Sequence, residues 1–367
     1  MLYHLLFQFI YPRAPELSVL NVTRYITFRT AAASLSALAI SLALGPWMIR
    51  KLREFQIGQV IRQEGPTSHR PKEGTPTMGG LLILTAVIVP TLLWAKLTNP
   101  YIWVVTAATA AFGAIGFVDD YLKIKRHSHH GLFARYKFAA QIAVALGVGL
   151  ALLALAARKP ELYNTRLIFP FCKNCIPDLG WGYLPFAVLV LVAASNTVNL
   201  TDGLDGLAIS TFAVSAVTFT ALAYVTGHRV LADYLDLVHF EPTAEVTVFC
   251  GTLVGASLGF LWWNAHPADV FMGDVGSLGL GGALGTVAIL TKQELLLPIV
   301  GGVFVLEGAS VIIQVVSFRF RGKRVFKMAP LHHHFELIGW KEPKIITRFL
   351  ILAIVFSVLS LTTLKIR

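Results

Sequence analysis

Carboxylates are concentrated in one short segment between two apolar runs. Residues 199–207 read N-L-T-D-G-L-D-G-L and include Asp202 and Asp205, which share one face if the segment is helical. Carboxylates beside lipid are costly unless they face a cavity, a metal ion or a polar ligand. The two glycines allow the backbone to approach such a ligand, although a glycine-rich turn with solvated aspartates would have the same sequence. A ligand site is favoured because acidic residues recur at similar junctions.

Two of these junctions hold candidate metal ligands. Asp119 and Asp120 close the apolar run 112–118, and Asp274 lies in F-M-G-D-V-G-S at 271–277. Adjacent carboxylates repel each other, and Mg²⁺, which prefers one or two protein carboxylates plus phosphate oxygens, would relieve that repulsion. A helix that begins near Asp274 could also hold phosphate with its free N–H groups. We predict a Mg²⁺ site of Asp119, Asp120 and Asp274.

The composition places these residues in a membrane protein. The chain has 367 residues, of which 55% are hydrophobic and only 14% charged, and its mean hydropathy is +0.67. A soluble domain carries about a quarter charged residues. The net charge of +11 does not indicate nucleic-acid binding, because the basic residues lie in short loops between apolar runs. We predict an all-α integral membrane protein that forms a single domain over residues 1–367.

The apolar runs are long enough to cross a bilayer, which takes about 20 helical residues each. They predict about ten transmembrane helices, at 23–48, 77–95, 101–118, 138–157, 183–200, 207–226, 245–263, 276–291, 295–317 and 346–364. Pro298, Gly301 and Gly302 interrupt the ninth, which indicates a broken helix lining a cavity or groove. Glu307 in that span is either a site residue or a buried structural group. The start of the chain lacks the basic region of a cleavable signal peptide, so we expect none.

The positive charges predict the orientation. Of the 31 Lys and Arg residues, 19 lie in or beside the loops that are inside when both termini are outside. With this topology the polar clusters all fall on the inside, which predicts an active site at the cytoplasmic face. The outside loop 158–182 contains Cys172 and Cys175, a pair that suits a disulfide or two free thiols better than zinc.

Further residues suit an anionic, nucleotide-like ligand. The loop 66–80 mixes cations, hydroxyls and glycines, although a solvated basic loop would look similar. Phe271 and Asn264 could offer a stacking surface and an amide to a nucleobase. His332, His333 and His334 cannot all bind one ion from one helix face, so imidazoles beside phosphate are favoured over a zinc site.

Four motifs in order resemble those of the polyprenyl-phosphate N-acetylhexosamine-1-phosphate transferases. They are F-V-D-D at 117–120, N-L-T-D-G-L-D-G at 199–206, F-M-G-D at 271–274 and M-A-P-L-H-H-H-F-E at 328–336. The last motif, with R-P-K-E-G-T-P-T-M-G-G at 70–80, is similar to the branch whose donor is UDP-N-acetylmuramoyl-pentapeptide. The likeness runs from about residue 45 to the C-terminus.

The resemblance implies a Mg²⁺-dependent enzyme of the bacterial inner membrane, commonly a homodimer. Phospho-N-acetylmuramoyl-pentapeptide would pass to undecaprenyl phosphate, giving lipid I and UMP in peptidoglycan synthesis. Asp274 would bind Mg²⁺ near Asp119 and Asp120, and the histidines would lie at the catalytic rim. The uridine pocket would be lined by Lys72, Gly203, Leu204, Asp205, Asn264 and Phe271. The predicted substrate-binding set is completed by Thr77, Lys137, Asn199, Asp202 and Gln314.

Alternatives remain for the mechanism and for the function. The lipid phosphate could attack the donor directly while Asp119 takes or holds its proton, or an aspartyl-phosphate could form first. A sister transferase would use UDP-N-acetylglucosamine, against which the histidine motif argues. A secondary transporter would place carboxylates at the bilayer midplane, whereas here they lie at one interface.

Overall fold

The structure is a computed structural model that describes residues 1–13, 17–55, 74–126, 131–172 and 175–364. Within these ranges the ordered elements are helices, and an isolated antiparallel β-bridge joins Arg166 and Asp178. The helices are α1 (Ile26–Glu54), α2 (Gly80–Trp94), α3 (Pro100–Lys125), α4 (Ala134–Arg158), α5 (Tyr183–Thr201), α6 (Leu207–Gly227), α7 (Arg229–Tyr234), α8 (Thr243–Asn264), α9 (Gly273–Leu290), α10 (Leu297–Val300), α11 (Gly302–Arg321), α12 (Leu331–Leu337) and α13 (Glu342–Thr362).

The predicted all-α membrane architecture is confirmed. In the described residues nine helices are long and apolar enough to cross a bilayer, and each corresponds to one predicted span. The remaining predicted span, 77–95, is α2, an apolar helix of 15 residues. The predicted break in the ninth span falls at Gly301, between α10 and α11. Pro298 fits the first turn of α10 because that turn needs no N–H donor from it.

One predicted boundary was wrong in a way that matters for the site. The third span was expected to end at Asp119 and Asp120, but α3 continues to Lys125. Hydropathy marks where the apolar residues stop, whereas the helix continues as long as its backbone hydrogen bonds do. The two aspartates therefore lie inside a helix, and the turn that follows them carries Lys123.

The helix α9 is the centre of the bundle. Of its most apolar stretch 89% is buried, against 22–28% for α1, α4, α11 and α13, which are therefore the helices with most surface left for lipid. Close packing on both sides requires glycine. Gly281 lies against Ala194 and Ser195 of α5, and a side chain at Gly116 of α3 would meet the backbone carbonyl of Asp274. The ends of α3, α5 and α9 are thereby held together.

The opposite end of the bundle is closed by buried ion pairs. Arg29 at the start of α1 forms two hydrogen bonds, of 2.6 and 2.7 Å, with Glu245 at the start of α8. Lys292, just after α9, lies 3.2 Å from Glu294, and both side chains are buried. The loop between α4 and α5 lies at this end, and in it Cys172 and Cys175 form a disulfide.

Candidate active site

Three aspartates from two helices meet at one end of the bundle. Asp119 and Asp120 come from α3 and Asp274 from the first turn of α9, and each offers a carboxylate oxygen within 4.8 Å of the others. Asp119 and Asp120 are each only 3% exposed. The approach of α3 to α9 at Gly116 brings together residues from distant parts of the chain.

Two lysines neutralise most of this charge. The Nζ atom of Lys123 lies 2.7 Å from Asp119, 3.0 Å from Asp120 and 2.9 Å from Asp274. Lys137 of α4, which the sequence predicted as a substrate-binding residue, lies 2.6 Å from Asp274 and 3.6 Å from Asp119. Sequence reasoning missed Lys123. The signal was its position three and four residues after the aspartate pair, which places it on the same helix face.

The donor set suits Mg²⁺. The ion prefers carboxylate oxygens and keeps water and phosphate oxygens in its remaining positions, and each of the three aspartates offers a carboxylate oxygen within 4.8 Å of the others. Three carboxylates against two ammonium groups leave one formal negative charge, so the cluster has an electrostatic preference for a further cation. The residues present therefore fit the predicted metal.

Asn199 and Asp202 extend the cluster toward α5. The side-chain amide of Asn199 donates to Asp274 at 2.7 Å and to Ser277 at 2.8 Å. Asp202, in the turn after α5, forms a hydrogen bond with the backbone of Gly273. Burial, and then the charges of Asp274 and Asp120, raise the pKa of Asp202 to about 8. Both residues were predicted from the sequence to bind substrate, and both lie beside the aspartate cluster.

The chain before α2 forms one wall of the site. Phe271 donates its backbone N–H to Pro76 at 2.8 Å and accepts from Gly79 at 2.9 Å. This pairing places Thr77 beside Gly273, near the carboxylate of Asp120. The Thr77 side chain and the backbone of Phe271 are thus near the cluster. Lys72, which was also predicted as a substrate-binding residue, lies outside the described residues.

The turn after α5 is fixed from several directions. Leu204 is buried at 4% exposure, and Asn264 joins two backbone segments, accepting from Gly206 at 3.0 Å and donating to Val270 at 2.8 Å. The Asn264 amide, predicted to face a nucleobase, is engaged in this way by the fold. Gly206, directly before α6, has a positive φ that a residue without a side chain adopts at no steric cost.

The same turn is also held by a group of three residues, Asp205, His266 and Glu342. Asp205 accepts from the backbone of Ala268 at 3.2 Å, and its carboxylate lies 3.2 Å from Nδ1 of His266. The backbone N–H of Asp205 donates to Glu342 of α13 at 2.9 Å. Sequence reasoning placed Asp205 at the site but did not single out Glu342 or a contact with α13.

The three histidines have separate surroundings. His332 is completely buried beside Glu307, and a side chain at Gly203 would collide with its ring. His333 lies 2.7 Å from Glu336, and His334 accepts from the backbone of Lys327 at 3.2 Å. His332 is thus next to the Asp202–Asp205 turn, whereas the described partners of the other two lie within the segment around α12.

Gln314 of α11 was predicted to bind substrate. Its side-chain oxygen accepts from the backbone N–H groups of Val325 and Phe326 at 3.0 and 2.9 Å, and its amide donates to the Phe326 carbonyl. The residue fixes the loop that leads from α11 to the histidines. None of these hydrogen bonds connects Gln314 with the aspartate cluster.

Comparisons with known proteins give a consistent result. Residues 102–292 match the family model of glycosyl transferase family 4, a range that includes all three cluster aspartates. Residues 72–84 match phospho-N-acetylmuramoyl-pentapeptide-transferase signature 1, which includes Lys72 and Thr77.

Curated proteins that are similar to this chain have the same name as the signature. The Phospho-N-acetylmuramoyl-pentapeptide-transferase of Desulfatibacillum aliphaticivorans is 58% identical over 369 residues, covering 100% of both chains. That of Koribacter versatilis is 57% identical over 362 residues, covering 95% of each chain, and that of Pelobacter propionicus is 53% identical over 367 residues, covering 100% of each.

Proposed function

Because the chain belongs to the family of phospho-N-acetylmuramoyl-pentapeptide-transferases, we propose that the aspartate cluster of α3 and α9 is where it carries out the family's reaction. The chain is a transferase of peptidoglycan synthesis: it moves phospho-N-acetylmuramoyl-pentapeptide from a UDP donor to undecaprenyl phosphate, giving lipid I and UMP. The observation that carries the site assignment is the meeting of three carboxylates, two of them buried and one half-buried, with two lysines at one end of the bundle.

Asp119, Asp120 and Asp274 would hold Mg²⁺. When bound, the ion supplies positive charge at the phosphate oxygens of the donor and of the leaving UMP. This assignment is supported by the shared oxygen donors of the cluster and by its net negative charge. Asn199 orients Asp274 by donating a hydrogen bond to its Oδ1 atom, while both lysines contact its Oδ2 atom.

The protein's own groups do the remaining work by positioning and by neutralising charge. An oxygen of the lipid phosphate forms a bond to the β-phosphorus of the donor, and the bond from that phosphorus to the oxygen of UMP breaks. Asp119 takes or holds the proton of the acceptor phosphate, and Lys137 is placed to neutralise the phosphates. Appearance of a phosphorylated aspartate after mixing with the UDP donor alone would favour the two-step route instead.

The donor's uridine is proposed to lie between the Asp202–Asp205 turn and the segment 264–271. Support comes from their direct connection through Asn264 and from the position of Phe271 beside the cluster. Lys72, Gly203, Leu204 and Asp205 complete this proposed pocket, and Thr77, Asn199 and Asp202 lie between it and the metal ligands.

The test of the proposed site is UMP release by the protein purified in detergent. The assay contains the UDP-muramoyl-pentapeptide, a polyprenyl phosphate and Mg²⁺. We expect release to require all three components and to stop in EDTA. Release with UDP-N-acetylglucosamine but not with the muramoyl donor would assign the sister reaction instead, and release unaffected by EDTA would contradict the metal site.

The protein is a multi-pass protein of the bacterial inner membrane, and we propose that both termini lie outside. The disulfide Cys172–Cys175 supports this orientation, because disulfides persist in oxidising compartments outside the cytoplasm. The loop that contains it joins the ends of α4 and α5 that are remote from the aspartates. The active site would then face the cytoplasm, where the UDP donor is made.

Cysteine labelling tests the orientation. In a background of Cys172→Ser, Cys175→Ser and Cys250→Ser, we expect Trp181→Cys to react with a membrane-impermeant maleimide in spheroplasts, because Trp181 is 78% exposed in the outside loop. Lys323→Cys, in the exposed loop after α11, should react only after the membrane is permeabilised. The reverse pattern would overturn the assigned orientation.

We also propose that residues 1–367 form one domain and that the protein is a homodimer. The single domain is supported by a large hydrophobic core that extends from Ala33 to Phe304 and by a smaller cluster in which Ile345 and Phe349 of α13 pack with Leu207 of α6. The dimer is supported by the family resemblance.

A further inference from the structure

We propose that Glu307 is a positioning residue for donor binding, acting through His332 on the turn that carries Asp202 and Asp205. This inference rests on the proposed function, because it assigns the turn to the UDP donor. It joins the interrupted ninth span to the nucleotide side of the site.

Glu307 and His332 lie side by side inside the protein. Both are completely buried, and Nδ1 of His332 lies 3.2 Å from Oε2 of Glu307. The other carboxylate oxygen accepts from the backbone N–H of His332 at 3.2 Å. One side chain of α11 thus contacts both the ring and the backbone of the first buried residue of α12.

Glu307 and His332 are 25 residues apart in the sequence, so the chain must leave the site and return to form this contact. From Glu307 to Arg321 the helix α11 advances about 21 Å, at about 1.5 Å a residue, before the loop returns to α12. Gln314 holds the returning loop by three hydrogen bonds to Val325 and Phe326. The carboxylate of Glu307 is then the anchor of α12 on α11.

The other side of the His332 ring faces the donor turn. A Cβ atom at Gly203 would fall on the Nε2 atom of His332, so the ring packs directly against the turn backbone. No other standard residue at 203 leaves room for this contact. Since Gly203 lies between Asp202 and Asp205, a displaced ring displaces both carboxylates.

Electrostatics explain why a carboxylate is needed there. Glu307 Oε2 and both ring nitrogens of His332 have no hydrogen-bond partner in the part of the chain that the structure describes. Polar groups without hydrogen-bond partners are costly in a protein interior, and the Glu307 carboxylate gives the ring nitrogen a polar neighbour at 3.2 Å. The carboxylate beside the ring also helps to hold the imidazole in its orientation. Glutamine at 307 keeps the size and the backbone contact but removes the charge.

The test compares Glu307→Gln with Glu294→Gln as the matched control. Glu294 is also a buried glutamate, with a hydrogen bond from Tyr183 and an ion pair with Lys292 at the opposite end of the bundle, so its replacement also removes a buried carboxylate but has no contact with the site. We expect Glu307→Gln to raise the donor KM and the Kd of UMP at least tenfold, with the lipid-phosphate KM changed less than twofold. Glu294→Gln should change none of the three.

A double variant shows whether Glu307 acts through the histidine. In the background of His332→Asn, adding Glu307→Gln should leave the Kd of UMP within twofold, because the contact is already lost. Size-exclusion profile and Tm establish that each variant is folded, and Glu307→Met, which also removes the carboxylate, serves in place of Glu307→Gln if the latter is not.

Three results would overturn the inference: equal effects of Glu307→Gln and Glu294→Gln, a parallel rise of both substrate KM values, or an undiminished effect of Glu307→Gln in the His332→Asn background. If the wild-type protein neither binds UMP nor releases it from the donor, the proposed function itself is wrong.

Discussion

Replacing Asp274 by asparagine is expected to lower UMP release by about a thousandfold or more. The asparagine would keep the volume of the side chain and its contact with Asn199, but it would lose the charge that both Lys123 and Lys137 contact at 2.9 and 2.6 Å. The substitution would also remove a carboxylate from the proposed Mg²⁺ site. Losing one group that stabilises developing charge in a buried site costs about 10²–10³ in rate, and here a metal ligand is lost as well.

The measurement is the initial rate of UMP release at saturating donor, lipid phosphate and Mg²⁺. Asp178→Asn is the matched control, because Asp178 is an exposed aspartate in the disulfide-bearing loop at the opposite end of the bundle. We expect that control to retain wild-type activity. A rate for Asp274→Asn within tenfold of the wild type would remove Asp274 from the catalytic centre.

Hydropathy and the spacing of carboxylates were enough to predict the broad architecture. Each transmembrane run is recognisable because a bilayer demands an uninterrupted apolar stretch, and the break at Gly301 followed from its local residues. The meeting of Asp119, Asp120 and Asp274 was predictable too. Polar residues at the same ends of several membrane helices lie at the same depth, at one interface. They can therefore be separated only laterally, which makes it easier to predict that they meet.

The hydrogen-bond partners of individual side chains were harder to predict from the sequence. The sequence predicted Asn264 and Gln314 as substrate-binding residues, a role that stays a prediction, but it did not reveal that their side-chain amides bond to backbone groups. Those bonds depend on the folded path of the chain and not on the local sequence. Glu307 was equally open between a site residue and a structural one. Its contact with His332 depends on how the 322–330 loop returns, and that has no local signature.

The second large effect concerns Lys123, and it has a readout that does not depend on turnover. The ammonium group lies within 3.0 Å of an oxygen from each of the three aspartates. Mg²⁺ binds oxygens at about 2.0–2.1 Å, so the ion and the ammonium cannot occupy the centre of the cluster together. An ion held by all three aspartates would therefore displace Lys123 from the cluster.

Lys123→Met should make folding depend on Mg²⁺. In EDTA the variant retains three clustered carboxylates with Lys137 as their nearest described cation, so we expect a loss of about 1–3 kcal/mol in the free energy of unfolding. Added Mg²⁺ should restore this loss by mass action, at a concentration at least tenfold lower than the wild type needs for a comparable shift. The measurement is Tm in detergent across a Mg²⁺ titration, with Ca²⁺ as a second ion.

Lys125→Met separates this effect from the loss of any lysine in α3. Lys125 is exposed in the last turn of the same helix, so its replacement should leave both Tm and its Mg²⁺ dependence as in the wild type. If Lys123→Met and Lys125→Met give the same Mg²⁺ curve, the ammonium does not compete with a cation. The three aspartates would then bind their ion in a different arrangement, or bind none, while the lysine remains in place.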